Sequence, residues 1–92
     1  MKNKTKETIQ QLIGNYQLDK AEASLQAILA LQPEDDEAYL LMGNIQRKRS
    51  NWKEALQYYA QAIELNPDSP ALHAREMIIE IMNFYDKERY NV

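Results

Sequence analysis

Apolar residues recur along the chain at spacings of three and four, and no stretch alternates apolar with polar over a strand's length. Ile9, Leu12 and Ile13 share one face of a first segment. Leu18, Ala21, Leu25, Ile28 and Leu29 form a second, closed by Pro33. A third runs through Ala38, Leu41, Met42 and Ile45, and a fourth through Trp52, Ala55, Leu56, Tyr59, Ala62 and Ile63, with Pro67 beyond it. The fifth carries Ala71, Ala74, Ile78, Ile81, Met82 and Tyr85. This spacing predicts an all-α fold of five helices of about three to four turns. Connections so short make neighbouring helices antiparallel.

The boundaries carry their own chemistry. Asn51 is placed to cap the fourth helix, with Glu54 three residues on as the answering member of a capping box. Ser69 followed by Pro70 is an N-cap and N1 pair for the fifth. Asp35 or Asp36 is placed to cap the third, where Glu37 also sits near the positive end of the helix dipole.

Set against itself with a shift of thirty-four residues, the chain places Ala21 on Ala55, Leu31 on Leu65 and Pro33 on Pro67. Leu18 falls on Trp52, Leu25 on Tyr59 and Leu29 on Ile63. The stretch "DEAYLLMGNIQRKRSNWKEALQYYAQAIELNP" resembles a tetratricopeptide repeat, a thirty-four-residue helix–turn–helix unit. Tyr39 stands at the aromatic position that opens that motif, and Met42 and Gly43 stand at its Leu-Gly pair. Ala55, Tyr59, Ala62 and Pro67 match its later positions. Gln46 departs from it where an aromatic is usual, and Ser50 departs where a glycine often makes the turn.

The resemblance implies a right-handed superhelical stack of antiparallel hairpins with about two and a half units. The expected division is a degenerate first repeat over 1–35, a well-matched repeat over 36–69 and a C-terminal capping helix over 70–92. In the first unit Thr5 and Thr8 occupy places expected to be large and apolar, and Gly14 falls two places before the turn position. Fraying of this lysine-rich start is the corresponding expectation. Gly43 and Ala55 are read as small so that two helices can approach closely, and Ala62 so that the next unit can fit against this one.

In this family the inner, concave face binds peptide segments of other proteins. Carried over by position, the groove candidates are Lys6, Gln10 and Ile13 in the first unit and Glu37, Leu40, Asn44, Arg47 and Lys48 in the second. Ala74, Ile78 and Met82 follow in the third. Some family members hold a peptide's C-terminal carboxylate with a lysine and an asparagine four places later. Asn44 matches that asparagine, but Leu40 stands where the lysine would be. A mixed polar and apolar peptide is therefore the expected ligand.

Composition narrows the field further. The 92 residues, 45% of them hydrophobic, suit one small domain with a thin core. A net charge of −3 gives no electrostatic case for nucleic acid. The one basic cluster, "QRKRSNWK", falls where a tight turn is needed. There is no cysteine, hence no disulfide framework and no thiolate chemistry. The N-terminal "MKNKTKETIQ" has no apolar run behind it, so no secretory signal or membrane association is expected, and a cytoplasmic location is the default. His73 with Glu76 and Glu80 on the same helix is the nearest approach to a metal or acid–base site, and a single histidine without a partner at ligand spacing does not make one. No catalytic residue, metal or cofactor is assigned.

The fifth segment, "ALHAREMIIEIMNFYDKERY", has apolar residues on more than one face. Either Phe84 and Tyr85 fold back over the open end of the stack, or Ile79, Met82 and Phe84 form a patch for a partner or a second copy. The leading expectation is a non-enzymatic module that binds a peptide of a protein partner in its groove. The alternative is a structural module that forms a homodimer through its last helix.

Overall fold

The computed structural model describes the backbone of residues 2–90 and the side chains of residues 5–84. Tyr85, read above as part of the fifth helix, lies outside the described side chains. Five helices follow one another: α1 (Lys2–Gly14), α2 (Leu18–Leu31), α3 (Asp36–Lys48), α4 (Trp52–Leu65) and α5 (Ala71–Tyr90). No strand occurs among the described residues. The all-α reading holds, and each periodic segment is a helix.

The two intra-hairpin turns are built alike. Tyr16 and Ser50, thirty-four residues apart, both take a left-handed backbone with φ of 62° and 63°. The Gln17 amide donates to the Leu12 carbonyl at 2.8 Å, and the Tyr16 amide to that of Ile13 at 3.0 Å. Asn51 donates to Gln46 at 2.8 Å and Ser50 to Arg47 at 2.9 Å in the same way. This paired pattern satisfies the orphan carbonyls at a helix end, and it normally places a glycine where Tyr16 and Ser50 stand. Gly14 stays on the helical side of the turn and does not supply its left-handed residue.

Two of the three cap assignments hold. The Asp35 carboxylate accepts from the Ala38 amide, and the Ser69 hydroxyl accepts from that of Ala71, each at 3.1 Å. The third does not. Asn51 makes no side-chain cap on α4, and its amide donates instead to Gln46 Oε1 at 3.0 Å. Gln46 is buried and needs a partner for that oxygen, a stronger demand than that of a solvent-accessible helix end.

The molecule measures 51 × 28 × 18 Å, and its thinnest dimension is about two helix diameters. The core is therefore divided along the stack. One cluster gathers Ile9 and Ile13 of α1, Ala21 and Leu25 of α2, and Ala38, Leu41, Met42 and Ile45 of α3. A second gathers Ala55, Tyr59 and Ala62 of α4 with Ala71 and Ile78 of α5, and Tyr39, Leu40 and Trp52 pack against it. α1 is docked despite its weak motif. Below its two buried isoleucines, Lys6 Nζ meets Asp35 at 2.7 Å and Glu37 at 2.9 Å across the start of α3. At the opposite end Arg49 joins α3 to α2 through Asp19 at 2.7 Å and Glu22 at 3.1 Å.

Within the second hairpin the closest approach is at Gly43. A Cβ placed there would lie 2.6 Å from Tyr59 Cδ1 and 3.0 Å from Cζ, so the ring lies directly on the glycine backbone. Ala55 and Ala62 lie within about 60° of Tyr59 round α4 and are fully buried beside it. The small residues of this unit are spacers that let large ones seat.

The third unit departs from the thirty-four-residue register. Ala71 and Ile78 are buried against α4 as Ala38 and Ile45 are buried against α2, and these pairs stand thirty-three residues apart. The capped amides agree, since they belong to Ala38 and Ala71. Four residues separate Pro33 from Ala38 but three separate Pro67 from Ala71. Dropping one residue turns α5 by about 100° relative to a strict repeat.

Candidate functional site

α1, α3 and α5 are the first helices of successive hairpins, and the groove candidates assigned from sequence lie on them. Their chemistry is best followed along α3. The Asn44 carbonyl oxygen accepts a 2.5 Å hydrogen bond from the hydroxyl of Tyr59, which reaches through from α4. The Arg47 guanidinium lies beside the same hydroxyl. Burial raises the Tyr59 pKa above the ordinary tyrosine value, and the arginine's positive charge and hydrogen bond only partly oppose that rise. Tyr59 is thus held as a neutral phenol that fixes the Asn44 side chain. Arg47 is half-buried, and among the described residues its Nε is buried without a hydrogen-bond partner.

The other polar candidates are engaged in the fold. Lys6 and Glu37, both assigned to the groove from sequence, pair with each other at 2.9 Å. Partial burial would lower the Lys6 pKa, but hydrogen bonds and charge from Asp35 and Glu37 outweigh it and hold the ammonium above the usual lysine range. Lys48 lies over the Tyr16 ring, 4.7 Å from its centroid, which tethers the end of α3 to the first turn. Gln10 is exposed on α1, and Leu40 packs partly into the second cluster.

On α5 the sequence assignment needs correction. Ile78 is 0% exposed and belongs to the core seam with Tyr59 and Ala71, so no ligand can reach it. Ala74 packs at the edge of the same seam. Ile13, likewise assigned to the groove from sequence, is a core residue of the first cluster. The reason on α5 is the dropped residue: in the observed register Asn44 corresponds to Met77, Arg47 to Glu80 and Lys48 to Ile81. Met77, Glu80, Ile81 and Phe84 line one shallow depression of about 350 Å³. These residues were missed from sequence, and the signal that finds them is the Ala-to-Ile spacing of seven shared by Ala38–Ile45 and Ala71–Ile78.

The three residues assigned to self-association do not share a surface. Ile79, Met82 and Phe84 are all exposed, but Phe84 belongs to the depression beside Met77. Five residues of helix place Phe84 about 140° round the axis from Ile79.

A tetratricopeptide-repeat profile matches residues 36–69, the hairpin of α3 and α4. The solution NMR structure of Bacteroides fragilis protein BF1650 superposes with a TM-score of 0.83 at 50% identity, covering 92% of this chain and 87% of that one. The chain belongs to the tetratricopeptide-repeat family. Repeats of this family serve as protein-interaction modules. Two curated relatives, the protein O-mannosyl-transferase TMTC1 of mouse and of human, are each 38% identical over 55 residues, 60% of this chain. The chain spans 6% of the length of those transferases. No reaction of those transferases is carried over to this chain. Among the described residues no group of acidic, histidine or cysteine side chains is arranged to hold a metal, and no helix is long and apolar enough to cross a membrane.

Proposed function

We propose that this tetratricopeptide-repeat protein is a non-enzymatic module that binds a peptide segment of a protein partner on the face formed by α1, α3 and α5. The observation that carries the reading is the Tyr59–Asn44 hydrogen bond with Arg47 beside it. A side-chain amide and a guanidinium are held in place on the inner face before any ligand arrives, and such preorganisation lowers the ordering cost of binding. Gln10 extends the polar ground on one side, and the depression at Met77 and Ile81 offers an apolar anchor site on the other. The groove set is thus Lys6, Gln10, Glu37, Leu40, Asn44, Arg47 and Lys48, with Met77, Glu80 and Ile81 replacing Ala74 and Ile78. Lys6, Glu37 and Lys48 act chiefly as supports, because their charges are already engaged.

The test is a displayed random-peptide library selected on the intact chain, followed by amide chemical-shift mapping with an enriched peptide. Shifts confined to α1, α3 and α5, with binding weakened at least tenfold by Gln10→Ala plus Met77→Glu, support the reading. Shifts on the outer face of α2 and α4, or binding indifferent to that double variant, refute it. Asn44→Ala is unsuitable as the first test, since it also strips the Tyr59 hydroxyl of its acceptor.

A further inference from the structure

We propose, resting on the groove reading above, that Arg47 and Asn44 select an acidic side chain, aspartate or glutamate, at one position of the bound peptide. An arginine has no acceptor, so the proton of the Tyr59 hydroxyl beside it goes to the Asn44 carbonyl oxygen. That bond fixes which way the amide points. Asn44 Oδ1 is taken, and Nδ2 keeps both its hydrogens for a ligand. Arg47 stands three residues on, a neighbour of Asn44 on the same side of α3. Everything this pair still has to offer is a donor. A carboxylate, with two oxygens that only accept, is the matching group.

The surrounding charges leave the position open. Among the described residues Lys6 is paired with Asp35 and Glu37, and Arg49 with Asp19 and Glu22, but no carboxylate pairs with Arg47. Glu80, its counterpart on α5, is no exception. Arg47 is half-buried with its Nε lacking a hydrogen-bond partner, so its charge is partly desolvated without compensation. A ligand carboxylate supplies the missing counter-charge where shielding by water is weakened. Asn44 is half-buried as well. An acidic side chain carries its carboxylate on a flexible stem and reaches donors set back in this way, whereas the carboxylate at a chain end is held against the backbone. The chain's net charge of −3 works against acidic peptides in general, so the preference is confined to the position at Arg47.

The test uses random peptides displayed as fusions through their C-termini, so that no free chain end is offered, and selected on the intact chain. The enriched peptides carry Asp or Glu at one fixed position. In a synthetic, end-blocked copy, replacing that acid by Asn or Gln weakens binding at least tenfold. Arg47→Gln weakens binding of the acidic peptide to the same level, and with this variant the acid-to-amide replacement has no further effect. Enriched peptides that shift α1, α3 and α5 but hold no fixed acid, or whose acid matters as much to Arg47→Gln, overturn this inference and leave the groove reading standing. So does a free C-terminal carboxylate that makes the internal acid dispensable. Peptides that bind elsewhere, or the absence of any enriched peptide, refute the groove reading and this inference with it. Equal affinity of Arg47→Gln and the unaltered chain for the amide-substituted peptide separates loss of selection from loss of fold.

Discussion

The two glycines of this chain should respond to the same substitution with opposite signs. At Gly43 an alanine Cβ would stand 2.6 Å from Tyr59 Cδ1. The ring cannot swing away cheaply, because Tyr59 is fully buried and its hydroxyl is tied to Asn44. Overpacking of this kind costs about 1–3 kcal/mol. Straining or losing the Tyr59–Asn44 bond adds about 1 kcal/mol or more. Against this, alanine is favoured over glycine inside a helix by roughly 1 kcal/mol. The balance is a net loss of about 1–3 kcal/mol, and for a domain of this size each kcal/mol lowers the melting temperature by roughly 4–8 °C. At Gly14 nothing lies within 4 Å of an added Cβ and the backbone is helical, so Gly14→Ala should stabilise by a few tenths to about 1 kcal/mol. Urea titrations of the two single variants, with Tyr59→Leu and the Gly43→Ala/Tyr59→Leu double, give the magnitudes and a coupling. The coupling should be at least about 1 kcal/mol if the ring is the obstacle. Gly43→Ala with an unchanged or higher midpoint would refute the close-approach account of this hairpin.

Other consequences follow from the same contacts. Ser50→Gly should raise stability by about 0.5–1 kcal/mol by removing the left-handed strain at φ 63°, whereas Tyr16→Gly should be near neutral, since it also loses the Lys48 contact; denaturant midpoints compare them. Lys6 and Tyr59 both have folded pKa values above their ordinary ones, so between those two values the native state binds more protons than the unfolded chain. Stability should therefore be flat up to about pH 9 and fall as pH rises beyond about 10, with a shallower slope in Lys6→Met and in Tyr59→Phe, read from urea midpoints across that range. Ala62→Leu should cost about 1–3 kcal/mol at the seam between α4 and α5, seen as a lower melting temperature.

The sequence carried the elements, the repeat and the spacers, because each follows from local pattern. Hydrophobic spacing marked the five helices, and Gly43 and Ala62 were legible as close-approach positions before Tyr59 was known to rest on one of them. Side-chain engagement was not legible. Lys6, Glu37 and Lys48 have the right residue types for ligand contacts, yet their partners lie about thirty residues away in sequence and become neighbours only on folding. Asn51 has a capping residue's identity and spacing, but a buried Gln46 competes for its amide, and that competition is invisible until burial is known.

The register of α5 shows why a groove assignment by motif position alone is fragile. Pro67 repeats Pro33, so a fixed period matches the units at their ends and hides the residue missing between Pro67 and Ala71. A helix takes its rotation from which side chains its neighbour can bury. α4 offers Ala55, Tyr59 and Ala62, and the best complement on α5 is the Ala71–Ala74–Ile78 stripe. Burying that stripe fixes the rest: Met77 and Ile81 turn toward the depression they share with Phe84, Leu72 and Ile79 toward another side of α5, and Glu76 and Glu80 lie between them, exposed. Core packing thus decides which residues are free for recognition, through a rotation of about 100° for one residue. Which residues α5 leaves exposed is set by that one-residue shorter loop before it.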